Sequence, residues 1–259
     1  MKELKLFFTA LMFITRIPVP SWVGYSESNL NKCNRYFPMV GIIIGGLGAL
    51  IYWLGSFVFP QNIAIIISMI ATVLLTGGFH EDGFADVCDG FGGGWNKTKI
   101  LEIMKDSRVG AYGMIGMILI LMLKFFALNA LPHSFVILGL IAGHSISRTF
   151  AVSSMYNLPY VRKDELSKSK PVTKNLHILD LWIAVIIGLS SFLIFRNWTV
   201  YLTIIPLLIT KIWLDKYFKK WIGGYVGDCL GTIQQVTEVI FYLSLIALSS
   251  LLPTIISQQ

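Results

Sequence analysis

Residues 77–94 read GGFHEDGFADVCDGFGGG and directly follow a strongly apolar run. The stretch gathers four carboxylates and one histidine between two groups of glycines. If the chain is helical from about residue 79, then Asp82, Asp86 and Asp89 lie at i, i+4 and i+7 and project from one helix face. Three like charges on one face repel each other, so this arrangement indicates that a cation neutralises them.

Oxygen ligands at a water-accessible edge suit a hard cation such as Mg2+, which is typically shared with a phosphate group. We therefore predict Mg2+ as the cofactor and Asp82, Asp86 and Asp89 as its ligands. The alternative is an acidic helix start that faces solvent, because acidic residues are common at that position. Helix capping does not require four acids within nine residues, which favours the metal site.

The composition of the whole chain is that of a membrane protein. Of its 259 residues, 55% are hydrophobic and only 14% are charged, whereas soluble proteins carry about 25% charged residues. The predicted fold class is all-α: a single integral membrane domain over residues 1–259, built as a polytopic helical bundle. Seven runs are long enough to cross a bilayer, at about 37–58, 62–79, 109–131, 135–155, 178–195, 198–214 and 232–252. Residues 3–16 are apolar but too short to span, and we predict an interfacial or re-entrant helix there.

The lysines and arginines fall almost entirely in alternate loops. With the seven runs as spans, 17 of the 21 lie on one side, Arg196 lies on the other, and Lys124, Arg148 and Lys211 lie within spans. Loops rich in Lys and Arg remain in the cytosol. This predicts a multi-pass protein of the plasma or inner membrane, with its N-terminus, long loops and active site facing the cytosol. Lys124 and Lys211 lie near span ends and are predicted to reach the interface by snorkelling.

The net charge of +7 belongs to the cytosolic face. It favours contact with anionic lipid headgroups and phosphorylated substrates. No nucleic-acid-binding motif is evident, so we predict membrane lipid and small phosphorylated molecules as partners and no nucleic acid.

Three glycine-rich, charged stretches approach the same cytosolic level. The first is the opening stretch, the second is DSRVGAYG at residues 106–113, and the third is GGYVGDCLG at residues 223–231. Glycines allow a ligand to approach the backbone closely and leave N–H groups accessible to phosphate oxygens. The simpler alternative is that they form turns and close helix contacts. We expect the three stretches to converge on one site.

Several polar residues lie inside the predicted spans. Arg148, with His144 one turn away on the same face, is predicted to face the bundle interior and to pair with a carboxylate or a substrate phosphate. A purely structural ion pair is the alternative. Gln234, Gln235 and Glu238 form a polar patch at the start of the last span, which we interpret as a site wall rather than a helix–helix hydrogen bond.

The motifs together resemble the cobalamin synthase family, the adenosylcobinamide-GDP ribazoletransferases. The similar motifs are HEDGxxDxxDG at 80–90, DSRxGxYG at 106–113, and GDxLG at 227–231 with Glu238 beyond it. FITRIPVP at 13–20 and RYFPxVG at 35–41 resemble the N-terminal signature of that family. The resemblance implies Mg2+-dependent transfer of the adenosylcobinamide phosphoryl group from adenosylcobinamide-GDP to alpha-ribazole or its 5'-phosphate, with release of GMP.

Displacement at a pyrophosphate needs neutralised phosphate oxygens, a carboxylate to orient or deprotonate the attacking hydroxyl, and a cation for the leaving group. The predicted catalytic residues are Glu81, Asp82 and Asp228, with Glu81 or Asp228 as the base. The predicted substrate-binding residues are His80, Arg108, Arg148, Gln235 and Glu238. Of these, Arg108 or Arg148 contacts phosphate. His80 is either a phosphate or base contact, or a hydrogen-bonded neighbour of the ligands.

Two other functions fit parts of the sequence. A CDP-alcohol phosphotransferase also places aspartates at helical spacing on the cytosolic rim, but its pattern continues Asp-Gly-x-x-Ala-Arg, whereas here Ala85 is followed by Asp86. An ion-coupled transporter would explain polar residues within spans, but transporters place their carboxylates near the bilayer midplane. The sequence leaves open whether the protein forms a homo-oligomer.

Overall fold

The computed structural model describes residues 1–162 and 176–251, with side chains described through residue 249. Lys163, Lys168, Lys170 and Lys174, which contribute to the charge asymmetry, lie outside the described residues. The helices within the described residues are α1 (Lys2–Ile14), α2 (Glu27–Cys33), α3 (Phe37–Gly55), α4 (Gln61–Thr76), α5 (Phe79–Gly93), α6 (Lys97–Ile103), α7 (Ala111–Asn129), α8 (His133–Asn157), α9 (Ile178–Ser190), α10 (Ile204–Ile222) and α11 (Gly227–Leu251).

The predicted class, a polytopic helical membrane bundle, is confirmed. Six helical segments are long and apolar enough to cross a membrane, and a seventh span results if α4 and α5 are counted together. Three of these segments contain 3₁₀ turns. A 3₁₀ turn over Asn34–Tyr36 joins α2 to α3, α9 continues as a 3₁₀ helix over Ser191–Phe195, and a 3₁₀ helix over Trp198–Thr203 leads into α10. The predicted N-terminal helix is present as α1, and it packs against α2 and α3.

The predicted second span, at 62–79, differs in the structure. The α4 helix ends at Thr76, and the chain turns by 89° before α5 begins at Phe79. Gly77 and Gly78 make this turn with φ values of 69° and 71°, a left-handed conformation that costs a glycine little because it has no Cβ. With 16 residues, α4 is about 24 Å long, so the chain leaves the direction of α4 before it has covered the roughly 30 Å of a bilayer core.

Helix α8 is the centre of the bundle, and α3 packs antiparallel to it. The approach is close because α3 presents glycines: a Cβ on Gly41 would overlap the backbone of His144, and a Cβ on Gly45 would overlap the backbone of Leu140. Close packing of backbones through small residues is a common way to hold membrane helices together.

Side-chain contacts show which helix ends lie together. At one end, Arg35 before α3 pairs with Asp180 at the start of α9. At the other end, the Tyr52 hydroxyl is 2.7 Å from His133 Nδ1 at the start of α8. The described parts of the long loops therefore lie at the Arg35 end, as the charge pattern predicts, and the short connections lie at the Tyr52 end.

Candidate active site

Helix α5 lies between the first turns of α7 and α11. Its Gly83 is so close to the backbone of Asp228 that a Cβ there would overlap, and Gly231 of α11 faces the His80 carbonyl in the same way. On the other side, Gly113 of α7 lies against the Ala85 carbonyl. The structure thus brings the three glycine-rich stretches together, and these motif glycines serve close helix contacts, which was the simpler alternative.

Asp89 connects α5 to α7. Its Oδ2 accepts a hydrogen bond from the Gly110 backbone N–H at 2.7 Å, and its Oδ1 accepts one from the Gly113 N–H at 2.8 Å. The first N–H groups of a helix have no partner within the helix, so a carboxylate at this position stabilises the start of α7. Both oxygens of this predicted metal ligand therefore have a structural role, and metal binding by Asp89 stays a prediction.

Asp82 and Asp86 differ from Asp89 in their surroundings. Asp82 is exposed, and its side chain makes no hydrogen bond to the described part of the chain. Asp86 lies within electrostatic range of Asp228 and Asp82. Among the described residues, no three or more His, Cys, Asp or Glu side chains are arranged to hold a metal ion. The acids are thus neighbours whose side chains do not converge on one point.

Asp228 has a partner that sequence analysis missed. Arg162 Nη2 lies 3.1 Å from Asp228 Oδ2 and 3.3 Å from the Met104 carbonyl oxygen. In the sequence, Arg162 is one cation among several in a basic loop and belongs to no motif. Only the folded chain brings it next to Asp228.

An open cleft with a volume of about 1090 Å³ lies between α4, α5 and α7. Its polar end holds Arg16, Glu81 and Asp82. Its apolar lining includes Val73, Met114, Met117, Ile118 and Leu121. The cleft therefore suits a ligand that has a charged group at one end and a large apolar surface at the other.

Arg16 is a cleft residue that sequence analysis noticed only as part of the N-terminal signature. Its backbone N–H donates to the Leu75 carbonyl at 2.7 Å, and its guanidinium lies against Gly77, where a Cβ would overlap it. The side chain is exposed and forms no ion pair within the described ranges. Arg16 thus places a cation in the same cleft as Glu81 and Asp82, and this cation has no ion pair among the described residues.

Glu81 faces both the cleft and the bundle interior. Its Oε1 accepts a hydrogen bond from Gln235 Nε2 at 3.0 Å, whereas its Oε2 is buried and has no partner among the described residues. Gln235 of α11 therefore makes a helix–helix hydrogen bond to Glu81 of α5. This contact is the alternative to the site-wall interpretation of Gln235. His80 is buried beside Phe79, with a ring centroid distance of 5.5 Å, and is not part of the cleft wall.

Glu238 is fully buried, with 0% of its surface exposed. Its Oε1 lies 2.6 Å from Lys124 Nζ and accepts a hydrogen bond from the Tyr242 hydroxyl at 2.9 Å. The snorkelling prediction for Lys124 is therefore wrong, because this carboxylate offers a partner inside the bundle. The snorkelling prediction is also wrong for Lys211, because this side chain is buried and its Nζ lies 2.7 Å from Asp215 Oδ2.

Arg148 lies in the same buried region, one turn from His144 as predicted. Its Nη1 donates to the His144 carbonyl at 2.8 Å and lies 3.2 Å from His144 Nδ1. Glu238 and Glu81 are within electrostatic range of the guanidinium. Arg148 and Glu238 were predicted to bind substrate, but both are enclosed by protein, so neither side chain lies open to the cleft.

Arg108 lies outside the bundle, with 87% of its side chain exposed. Its guanidinium pairs with Asp106 at 2.6 Å, and hydrogen bonds from Arg108 lower the pKa of Asp106 to about 2. Asp106 therefore stays ionised over the physiological pH range. Asp106 thus holds Nε and Nη2 of Arg108, which leaves only Nη1 of the guanidinium for another ligand.

Replacing Asp89 with asparagine tests its structural role. Asparagine has one acceptor oxygen, so one of the two N–H groups at the start of α7 loses its partner and faces an NH₂ group. We expect Asp89→Asn to lower the free energy of unfolding by about 1–3 kcal/mol. Asp82→Asn is the matched control, and we expect a change below about 0.5 kcal/mol there because its side chain makes no such bond. Equal thermal or denaturant stability of the two variants would contradict the capping role.

Comparison with known proteins agrees with the motifs. The model of the family described as Cobalamin-5-phosphate synthase matches residues 6–246. Proteins named adenosylcobinamide-GDP ribazoletransferase are similar along nearly their whole length. The one from Shewanella frigidimarina is 45% identical over 251 residues, covering 95% of this chain and 96% of the relative. The one from Shewanella oneidensis is 42% identical over 258 residues, covering 97% of each.

No solved structure matches this chain. The transferase name of the relatives agrees with the enzyme class that the motifs predict, and the resemblance stated from those motifs is confirmed. A family match over most of the chain, with relatives of this identity and coverage, shows that the chain belongs to the cobalamin-5-phosphate synthase family.

Proposed function

We propose that this protein transfers the adenosylcobinamide phosphoryl group from adenosylcobinamide-GDP to alpha-ribazole or its 5'-phosphate. The names of the relatives supply the substrates. The observation that carries the proposal is the cleft in which two carboxylates and an unpaired arginine from separate family motifs meet. An acceptor hydroxyl oxygen bonds to the phosphorus that carries adenosylcobinamide, the bond from that phosphorus to the bridging oxygen breaks, and GMP leaves with that oxygen.

Mg2+ is part of the proposal. Asp82 and Asp86, with Asp228 near Asp86, offer carboxylate oxygens, which are the donors that Mg2+ prefers. Asp82 also has no competing hydrogen bond among the described residues. Asp82 and Asp86 would therefore hold the ion, with their side chains turned toward it. Asp89, the third predicted ligand, already holds two backbone N–H groups with its oxygens and would contribute only in addition to them. When bound, Mg2+ neutralises charge on the pyrophosphate oxygens.

We assign the base to Glu81 rather than to Asp228. Gln235 holds one oxygen of Glu81, and the other has no partner among the described residues. That second oxygen is buried behind the cleft lining, so it can accept the proton of an acceptor hydroxyl that enters the cleft deeply enough to reach it. One oxygen of Asp228 is held by the cation Arg162, which disfavours proton uptake more than the neutral Gln235 amide does at Glu81, so Asp228 is less suited to the task.

We assign the phosphate contact to Arg16. Arg108 is paired with Asp106 in solvent, and Arg148 is enclosed in the bundle. Arg16 is the motif arginine that lies in the cleft without an ion pair in the described part of the chain. Its planar guanidinium can bond two phosphate oxygens at once and so offset charge on the departing GMP.

The metal assignment predicts that Asp82→Asn, which removes one charge at nearly constant shape, lowers GMP release from adenosylcobinamide-GDP by about 100-fold or more. Mg2+ should raise the melting temperature of the wild-type protein, which binds the ion. It should leave the melting temperature of the Asp82→Asn variant unchanged, because that variant has lost a ligand. Near wild-type turnover of the variant at limiting Mg2+ would refute the assignment.

Release of CMP from a CDP-alcohol by the wild-type protein, without release of GMP from adenosylcobinamide-GDP, would favour the CDP-alcohol phosphotransferase alternative.

The phosphate assignment predicts the effect of Arg16→Lys, which keeps the charge but loses the bidentate geometry. We expect the KM for adenosylcobinamide-GDP to rise about tenfold and the KM for alpha-ribazole to stay unchanged. Arg196→Lys is the matched control, because Arg196 lies in the connection between α9 and α10, far from the cleft along the chain. A parallel rise of both KM values in Arg16→Lys would show that the residue acts on the fold and not on the phosphate.

We further propose that the protein lies in the plasma or inner membrane with its N-terminus and cleft facing the cytosol, because 17 of 21 lysines and arginines fall on that side. In a Cys88→Ala background, Lys99→Cys should stay unlabelled by a membrane-impermeant thiol reagent in intact cells, and Val58→Cys should be labelled. Both positions are exposed, and Cys33 and Cys229 are buried. The reverse labelling pattern would overturn the orientation.

A further inference from the structure

A continuous chain of hydrogen bonds runs through the bundle from Lys124 of α7 to Glu81 of α5. Lys124 Nζ lies 2.6 Å from Glu238 Oε1, and Gln234 Nε2 donates to Glu238 Oε2 at 2.5 Å. Gln235 Nε2 then donates to Gln234 Oε1 at 2.8 Å and to Glu81 Oε1 at 3.0 Å. We call Lys124, Glu238, Gln234 and Gln235 the relay. All four are at most 3% exposed.

The chemistry of the groups fixes the orientation of each amide in the relay. Glu238 forms an ion pair with Lys124, and a carboxylate in an ion pair only accepts hydrogen bonds. Gln234 must therefore turn its NH₂ group toward Glu238, which leaves its carbonyl oxygen facing Gln235. Gln235 must in turn present its NH₂ group, whose two hydrogens are shared between Gln234 and Glu81.

We propose that the relay positions Glu81 for proton abstraction from the acceptor hydroxyl. This inference rests on the proposed function, in which Glu81 is the base. By holding Oε1, the relay fixes the direction of the carboxylate and leaves the buried Oε2 without a partner among the described residues. Glu81 lines the cleft, so an acceptor hydroxyl that enters the cleft as far as Oε2 meets a carboxylate of fixed direction. Lys124 and Glu238 are then positioning residues that act through two glutamines and do not touch the substrate.

Packing alone does not account for the relay. Charges inside a membrane protein are costly to desolvate, and apolar residues of similar volume often replace a buried ion pair without loss of stability.

Gln234→Leu breaks the relay while leaving every charge in place. We expect kcat for GMP release to fall at least about tenfold and the KM of both substrates to stay within about twofold of wild type, because the cleft wall is unchanged. Ser147→Ala is the matched control. The Ser147 hydroxyl accepts the other N–H of Gln234 at 3.2 Å but is not part of the relay, so kcat should stay within about twofold. A Gln234→Leu variant that is folded and keeps wild-type kcat would overturn the proposal.

The double variant Lys124→Met with Glu238→Leu separates positioning from structural support, and it decides the matter if Gln234→Leu does not fold. Removing both charges together leaves neither of them unpaired, but the Tyr242 hydroxyl and the Gln234 amide lose their acceptor, so we expect a folded protein whose melting temperature is no higher than that of wild type. If the relay positions Glu81, kcat of the folded double variant is at least about tenfold lower than that of wild type. A folded double variant with wild-type kcat would show a structural pair and refute the relay. A wild-type protein without GMP release would refute the proposed function, and the relay with it.

Discussion

The site depends on the turn at Gly77 and Gly78. Two consecutive residues with φ near 70° end α4 and redirect the chain by 89°, a conformation in which a Cβ is strained. Without this turn, α5 would continue along α4 and could not lie between α7 and α11. The turn also lets the Arg16 side chain lie against Gly77. One backbone constraint therefore both orients the acidic helix and brings a cation to it.

The carboxylates of α5 share one sequence pattern but have different physical roles. Asp89 is buried and bonded to two backbone N–H groups at the start of α7, so it holds two helices together. Asp82 is exposed in the cleft, so it is available to a ligand. Glu81 points toward the bundle and contacts Gln235. Spacing along α5 sets the direction of each side chain. The helix or cleft that lies in that direction determines whether the side chain binds protein or is available to a ligand.

The buried charges form a second layer behind the cleft. Lys124 and Arg148 are balanced by Glu238 and Glu81, which reduces the cost of placing charge inside a membrane bundle. Because α5, α7, α8 and α11 each contribute to this layer, the relative positions of the four helices and the direction of the Glu81 carboxylate are linked. The electrostatics of the bundle and the geometry of the cleft are therefore not independent.

The sequence by itself determined the helical membrane class, the apolar runs, the acidic helix and the family, because hydropathy and residue spacing are local properties. It also indicated that Arg148 faces the bundle interior, whereas it placed Glu238 in a site wall. Only the tertiary structure decided that Lys124 pairs with Glu238, that Arg162 pairs with Asp228, and that Arg16 faces the cleft. These partners are far apart in sequence, and they meet because helix crossing angles and glycine contacts set the register between helices. No local pattern encodes that register.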